Sequence, residues 1–308
     1  MKTNIWSDSM NWRLMTMCAA VCLIACGCNA NRVNTVREND CPVENMCAEG
    51  GTAGASVSTA ELFTQIALGR ADSVYQLVES GANPDGVNAE GETALLMAIE
   101  QNRVPIAKYL INAGAGINKG NASGTTPLMQ VVLNGNKAIP KTLSDGTVVA
   151  IQPQTNMQQY FADLLISKGA EINAGDKNGD TALSLASSVG NFDAARYLIQ
   201  RGADVNKKNL KGQTPLMIAS KKGNYAIVEE LIMAKADINA VDEEGQTALM
   251  YASQNDNPHL VGYLLSFGAM SEVQDQYGAT AHTIADAVGN YKVMRVLKGF
   301  AAADASEE

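Results

Sequence analysis

Residues 176–206 read "DKNGDTALSLASSVGNFDAARYLIQRGADVN". Thr181 stands directly before an apolar run, where a threonine hydroxyl can cap the start of a helix. Ala195, Leu198 and Ile199 then recur at i, i+3 and i+4, which is one face of a second helix. Gly202 follows, and glycine supplies the left-handed residue that closes a helix. Ahead of the threonine, Asp176 and Gly179 carry turn chemistry. The stretch therefore predicts a turn and two short antiparallel helices.

The phrase repeats along the chain. Its threonine recurs at Thr93, Thr126, Thr181, Thr214, Thr247 and Thr280, at intervals of 33, 55, 33, 33 and 33 residues. The closing glycine recurs at Gly81, Gly114, Gly169, Gly202 and Gly268, with Lys235 where the same spacing demands another. Both series share a single 22-residue interruption, so one structural unit is being stacked. The second-helix stripe keeps register as Val74/Leu77/Val78, Ala107/Leu110/Ile111, Ala162/Leu165/Ile166, Val228/Leu231/Ile232 and Val261/Leu264/Leu265. Pro127 and Pro215 fall at the first helical position, where a missing N–H is harmless. Lys235 should adopt a left-handed backbone at a cost of about 1 kcal/mol.

This pattern resembles the ankyrin-repeat family from Ser58 to about Phe300. The resemblance implies an all-α repeat solenoid of about seven repeats, each a helix-turn-helix pair with a β-turn finger. The expected ankyrin domain is 57–300, with an insertion at 136–157 and an acidic tail at 301–308. The first repeat, Ser58–Asp85, lacks a finger and opens on Ser58-x-x-Glu61, a capping-box pattern. The last begins at Asp275 and ends in a helix bearing Lys292, Arg295 and Lys298, and both ends read as caps. The sequence departs from the family at the histidine after Thr-Pro-Leu, where it has Leu96, Met129, Ser184, Met217, Met250 and Thr283. Losing that hydrogen-bonding side chain should soften the repeat junctions slightly.

The insertion carries "KTLSDGTVVAIQP", with Asp145-Gly146 between β-branched residues, a hairpin signal. It is either a tolerated loop expansion or a protruding element for partner contact or dimerisation. Its apolar strand, Val148, Val149 and Ile151, would need cover.

The N-terminus reads as an address. Arg13 precedes the apolar run "LMTMCAAVCLIA" (Leu14–Ala25), too short for a membrane span, which needs roughly 20 residues. It matches the apolar core of an export signal. Leu23-Ile24-Ala25-Cys26 resembles the bacterial lipoprotein lipobox, and the resemblance implies cleavage after residue 25 and acylation of Cys26. Translation can start at Met1 or Met10. Gly27, rather than an aspartate, follows the cysteine, so the outer membrane facing the periplasm is expected. Residues 26–56 read as a flexible tether. Cys41 and Cys47 either close a disulfide loop in an oxidising compartment or remain two thiols. All six cysteines lie within the first 47 residues.

Composition narrows the function. The chain is 46% hydrophobic and 18% charged, which is globular rather than disordered. Its net charge is −9, and −10 without residues 1–25, which carry Lys2, Arg13 and Asp8. Such a surface repels a phosphate backbone, so nucleic acid is an unfavourable partner. No nucleophile elbow, phosphate-cradling loop or metal-ligand spacing is present. His259 and His282 are the only histidines, with no second ligand near either in sequence. The expectation is a monomeric, non-enzymatic module with no cofactor and no metal. The family resemblance puts a protein partner on the face made by finger tips and first helices. The matching positions are Lys177, Asn178 and Asp180; Leu210, Lys211, Gln213, Lys221 and Lys222; Glu243 and Glu244; and Gln276 and Tyr277. Leu210 and Tyr277 suit anchors, and Lys207, Lys208, Lys211, Lys221 and Lys222 form a basic band. Scaffolding at the envelope and inhibition of a toxin or lytic enzyme in the periplasm both fit this reading.

Overall fold

The computed structural model describes residues 54–135, 139–142, 148–151 and 155–304, with side chains from 59 to 135 and from 158 to 300. The N-terminal signal, Cys26, Cys41 and Cys47 lie outside the described residues. The repeats fall in one compact unit, Thr52–Glu308. Fourteen helices stand in seven pairs among the described residues. They are α1 Gly54–Leu68 with α2 Ala71–Glu79, α3 Ala94–Glu100 with α4 Val104–Asn112, and α5 Pro127–Asn134 with α6 Thr155–Ser167. Then come α7 Ala182–Val189 with α8 Phe192–Gln200, and α9 Pro215–Lys222 with α10 Tyr225–Met233. The last pairs are α11 Ala248–Ser253 with α12 Pro258–Ser266, and α13 Ala281–Ala287 with α14 Tyr291–Asp304.

Each first helix except α1 starts on a threonine whose Oγ1 accepts the N–H three residues on, at 3.2–3.4 Å. The next positions fill the core. Leu95, Leu128, Leu183, Leu216 and Leu249 are all buried, each stabilising the unit by roughly 2 kcal/mol. Ala98, Ala186, Ala219, Ala252 and Ala285 recur one turn later, fully buried. A side chain this small lets neighbouring first helices approach closely, and α1, α3, α5, α7, α9, α11 and α13 pack in an unbroken row. The second helices are spaced by larger groups, such as the Tyr225 and Tyr263 rings at 5.1 Å.

The junctions carry a second, recurrent set of side-chain hydrogen bonds. A side chain from each repeat donates to a carbonyl near the end of the preceding first helix. Arg103 reaches Ala67, Asn134 reaches Ile99 and Asn191 reaches Val132. Asn224 reaches Ser187, Asn255 reaches Ser220 and Asn290 reaches Ser253, and all six bonds span 2.6–3.1 Å. Ile99 O, Val132 O and Ser220 O also accept an N–H from the C-terminal turn of their own helix, and in every case the side-chain bond ties that helix end to the next repeat. A different set of side chains thus bridges all six junctions. At two of the three methionines that replace the histidine, Met129 and Met217, Sδ accepts the N–H of the capping threonine.

The ends differ from expectation. Helix α1 begins at Gly54, so Ser58 and Glu61 lie inside it and no capping box starts there. Ala55, Ser56 and Val57, just ahead of Ser58, include neither proline nor glycine, so the helix can extend back to Gly54. Helix α1 thus begins inside the span expected as tether, 26–56, and α14 takes in residues 301–304 of the expected tail. In repeat seven His282 occupies the leucine position, half-buried, with Nε2 lacking a hydrogen-bond partner.

The insertion holds the only strands among the described residues, β1 Ile139–Thr142 and β2 Val148–Ile151. They pair antiparallel, Ile139 opposite Ile151 and Thr142 opposite Val148, as the hairpin signal predicts. The turn with Asp145 and Gly146 lies outside the described residues. Helices α5 and α6 still pack against each other across the interruption, so the insertion leaves the stack continuous.

Candidate partner-binding face

Six fingers are built by one device. Asn88, Asn121, Asp176, Asn209, Asp242 and Asp275 each turn Oδ1 onto the N–H groups two and four residues on. These bonds measure 2.8–3.1 Å and satisfy donors that a tight turn would otherwise strand. Asp242 and Asp275 are buried, so their carboxylates are used up as structural acceptors.

The fingers then join through their backbones. Lys177 N donates to Ser123 O at 3.0 Å and Leu210 N to Asn178 O at 2.8 Å. Glu243 N donates to Lys211 O at 3.1 Å and Gln276 N to Glu244 O at 2.9 Å. Contact this close needs glycine on one side. Gly212 has φ +74°, and a Cβ there would lie 2.8 Å from Glu243 N. The ladder sets the finger tips side by side in repeat register. Lys177-Asn178, Leu210-Lys211, Glu243-Glu244 and Gln276-Tyr277 therefore form a row of exposed pairs. Leu210 is 68% exposed and Tyr277 78% exposed, comparable with Met233 and Tyr291 on the second helices; what sets the first two apart is their place in the row of finger tips.

A pocket of about 320 Å³ opens beside the row between repeats five and six. It gathers five of the predicted residues: Lys211, Gln213, Lys221, Glu243 and Glu244. At its back stands Tyr251, which sequence reading missed. The Tyr251 hydroxyl donates to Asp242 Oδ2 at 2.7 Å and accepts from Gln213 Nε2 at 2.7 Å. Lys221 Nζ sits 5.0 Å from the Tyr251 ring centroid, within cation–π range. Burial, and then the hydrogen bond to Asp242, hold the Tyr251 hydroxyl protonated well above the ordinary tyrosine range. Tyr251 is thus a fixed, neutral wall that joins the finger of repeat six to its first helix.

Across residues 62–306, a family model described as ankyrin repeats matches three times, at 62–152, 148–242 and 216–306. That span is well over half of the chain. The chain belongs to the ankyrin-repeat family. Ankyrin repeats typically act as scaffolds for protein–protein interaction and are usually non-catalytic.

Within this ankyrin domain the predicted residues divide into two groups. Lys177, Asn178, Leu210, Lys211, Lys221, Lys222, Glu243, Glu244, Gln276 and Tyr277 are exposed on fingers or first helices. Asp180 and Gln213 are half-buried and already committed. Asp180 Oδ1 accepts from Asn209 Nδ2 at 2.9 Å and binds two fingers together. The basic band also shrinks, because Lys208 Nζ donates to Val241 O at 2.7 Å. His259 is exposed on α12. No group of three or more His, Cys, Asp or Glu residues is arranged to hold a metal ion among the described residues. No helix among them is long and apolar enough to cross a membrane.

The opposite face of the ankyrin stack is built differently. Its second helices interlock through Tyr75 with Tyr109, Tyr225 with Tyr263, and the Asp163–Tyr197–Arg201 cluster. A second pocket of about 330 Å³ lies there, with Leu128, Val132, Ala162, Asp193 and Arg196 among its lining. None of the predicted residues falls in it.

Proposed function

We propose that this chain is a lipid-anchored bacterial envelope ankyrin protein that holds a protein partner on its concave face and performs no chemistry itself. The observation that carries the binding reading is the finger row. The ladder fixes four adjacent tips in register, and two of them present large apolar side chains to solvent. A rigid, pre-ordered row loses little conformational entropy on binding, which favours recognition. The anchor rests on the sequence of residues 14–26 alone. Acylation at Cys26 would provide more than one chain, which stable attachment to a membrane requires.

Affinity capture from bacterial envelope extracts with the full chain, followed by mass spectrometry, tests this reading. A parallel bait carries Leu210→Glu and Tyr277→Ala. The expected result is one dominant protein captured by the native chain and lost with the double variant. A lytic enzyme or toxin as that protein would make the module an inhibitor, and a structural envelope protein would make it a scaffold. Equal capture by both baits would overturn the concave-face assignment.

A further inference from the structure

The finger row and its pocket carry a charge order that specifies the occupant. Repeats four and five present Lys177, Lys211, Lys221 and Lys222, and repeat six presents Glu243 and Glu244. Lys211, Lys221, Glu243 and Glu244 line one pocket, yet no ion pair joins these lysines to these glutamates among the described residues. The geometry explains why. Lys221 is drawn over the Tyr251 ring, and the Glu243 N to Lys211 O bond joins the two tips through their backbones, leaving both side chains exposed to solvent. Opposite charges thus stand unpaired within one repeat step, facing outward. Leu210 lies on the lysine side of this step and Tyr277 beyond the glutamate side.

A polyanion does not fit, because Glu243 and Glu244 border the lysines and would repel its continuation. An apolar surface does not fit either, since both signs of charge would be stripped of water without partners. We infer that the occupant is an extended protein segment of mixed charge. It places an acidic side chain between Lys211 and Lys221 and a basic side chain on Glu243 and Glu244, and apolar side chains cover Leu210 and Tyr277. This inference rests on the concave-face reading and adds the chemistry of the bound segment. Charge order of this kind fixes register and rejects wrong partners more than it adds raw affinity.

The test pans the immobilised full chain against a displayed library of random twelve-residue peptides. Enriched sequences are synthesised, labelled and measured by fluorescence anisotropy. The native chain is compared with Lys211→Glu/Lys221→Glu, with the milder Lys211→Gln/Lys221→Gln, and with Leu210→Glu/Tyr277→Ala. Circular dichroism first checks that each variant is folded. The expected peptides carry an acidic and a basic residue a few positions apart. The charge reversal weakens them about tenfold or more, and the glutamine pair weakens them less. Exchanging acid and base in the peptide restores binding to a variant with Lys211→Glu, Lys221→Glu, Glu243→Lys and Glu244→Lys. Peptides that need Leu210 and Tyr277 but ignore both lysine variants would overturn the charge order and leave the concave-face reading standing. Peptides indifferent to all the variants would overturn both. A library yielding no enrichment would show that an extended segment is not the occupant.

Discussion

The hydroxyl of Tyr251, in the first helix of repeat six, donates to Asp242 Oδ2 in the finger of the same repeat across 2.7 Å. Asp242 also accepts two finger N–H groups through Oδ1, so one buried carboxylate fixes both the turn and its angle to the helix. Tyr251→Phe strips that carboxylate oxygen and the Gln213 amide of a partner. It should lower stability by about 1–3 kcal/mol in urea unfolding, with helical content unchanged.

Alkaline pH probes the same bond. The pKa of Tyr251 is raised by burial and by Asp242, and that of Tyr197 by burial and by Asp163. A raised folded pKa means that the folded state keeps its proton after the unfolded chain has lost one. Their contribution is then fully present below about pH 10 and is lost as pH rises above it. Urea midpoints measured from pH 8 upward should fall more gently for Tyr251→Phe than for the native chain. Parallel curves would remove Tyr251 from the titration.

Two glycines separate backbone strain from close approach. Gly212 and Gly278 have φ of +74° and +78°, but a Cβ on Gly212 meets Glu243 N while one on Gly278 meets nothing within 4 Å. Gly278→Ala should cost about 1 kcal/mol, the left-handed penalty alone. Gly212→Ala should cost clearly more and raise amide exchange at Glu243, because the finger ladder must open there. Equal losses would show that the ladder contributes nothing.

Lys235 stands in the left-handed region at φ +65°, at the position where the other repeats have glycine. Lys235→Gly should therefore raise stability by about 0.5–1 kcal/mol, despite the greater freedom glycine brings to the unfolded chain. Its thermal midpoint should rise correspondingly, and a fall would mean that the lysine side chain compensates for its own strain.

Anchoring is tested at one atom. Mass spectrometry of the mature N-terminal peptide should find acyl chains on Cys26 and nothing before it. Cys26→Ala should release the protein from the membrane fraction into the soluble fraction. An unmodified Cys26 in a cleaved, soluble chain would reduce the segment to an ordinary export signal.

The fold was legible because its signals sit at fixed offsets: the threonine cap, the closing glycine and the Asx residue each answer to a period of 33. The finger row was legible for the same reason, once the family placed it. What escaped was whatever broke period or depended on a single neighbour. The junction donor is ten residues past the capping threonine at Arg103, Asn191, Asn224 and Asn290 but eight past it at Asn134 and Asn255. That drift hid the series. Tyr251 has no counterpart in other repeats, and nothing in sequence marks its contact with Asp242. Lys208 and Asp180 looked free because their partners, Val241 O and Asn209 Nδ2, come from the next repeat. The start of α1 was misplaced because a capping pattern was read where the helix had already begun.

Hydrogen–deuterium exchange of the full chain, with and without its captured partner, tests the central claim most directly. The account predicts slowed exchange at Asn178, Lys211, Glu244 and Tyr277 and in the first helices of repeats five and six. Protection confined to the second helices, or to residues 136–157, would contradict it and move recognition to the opposite face or to the hairpin.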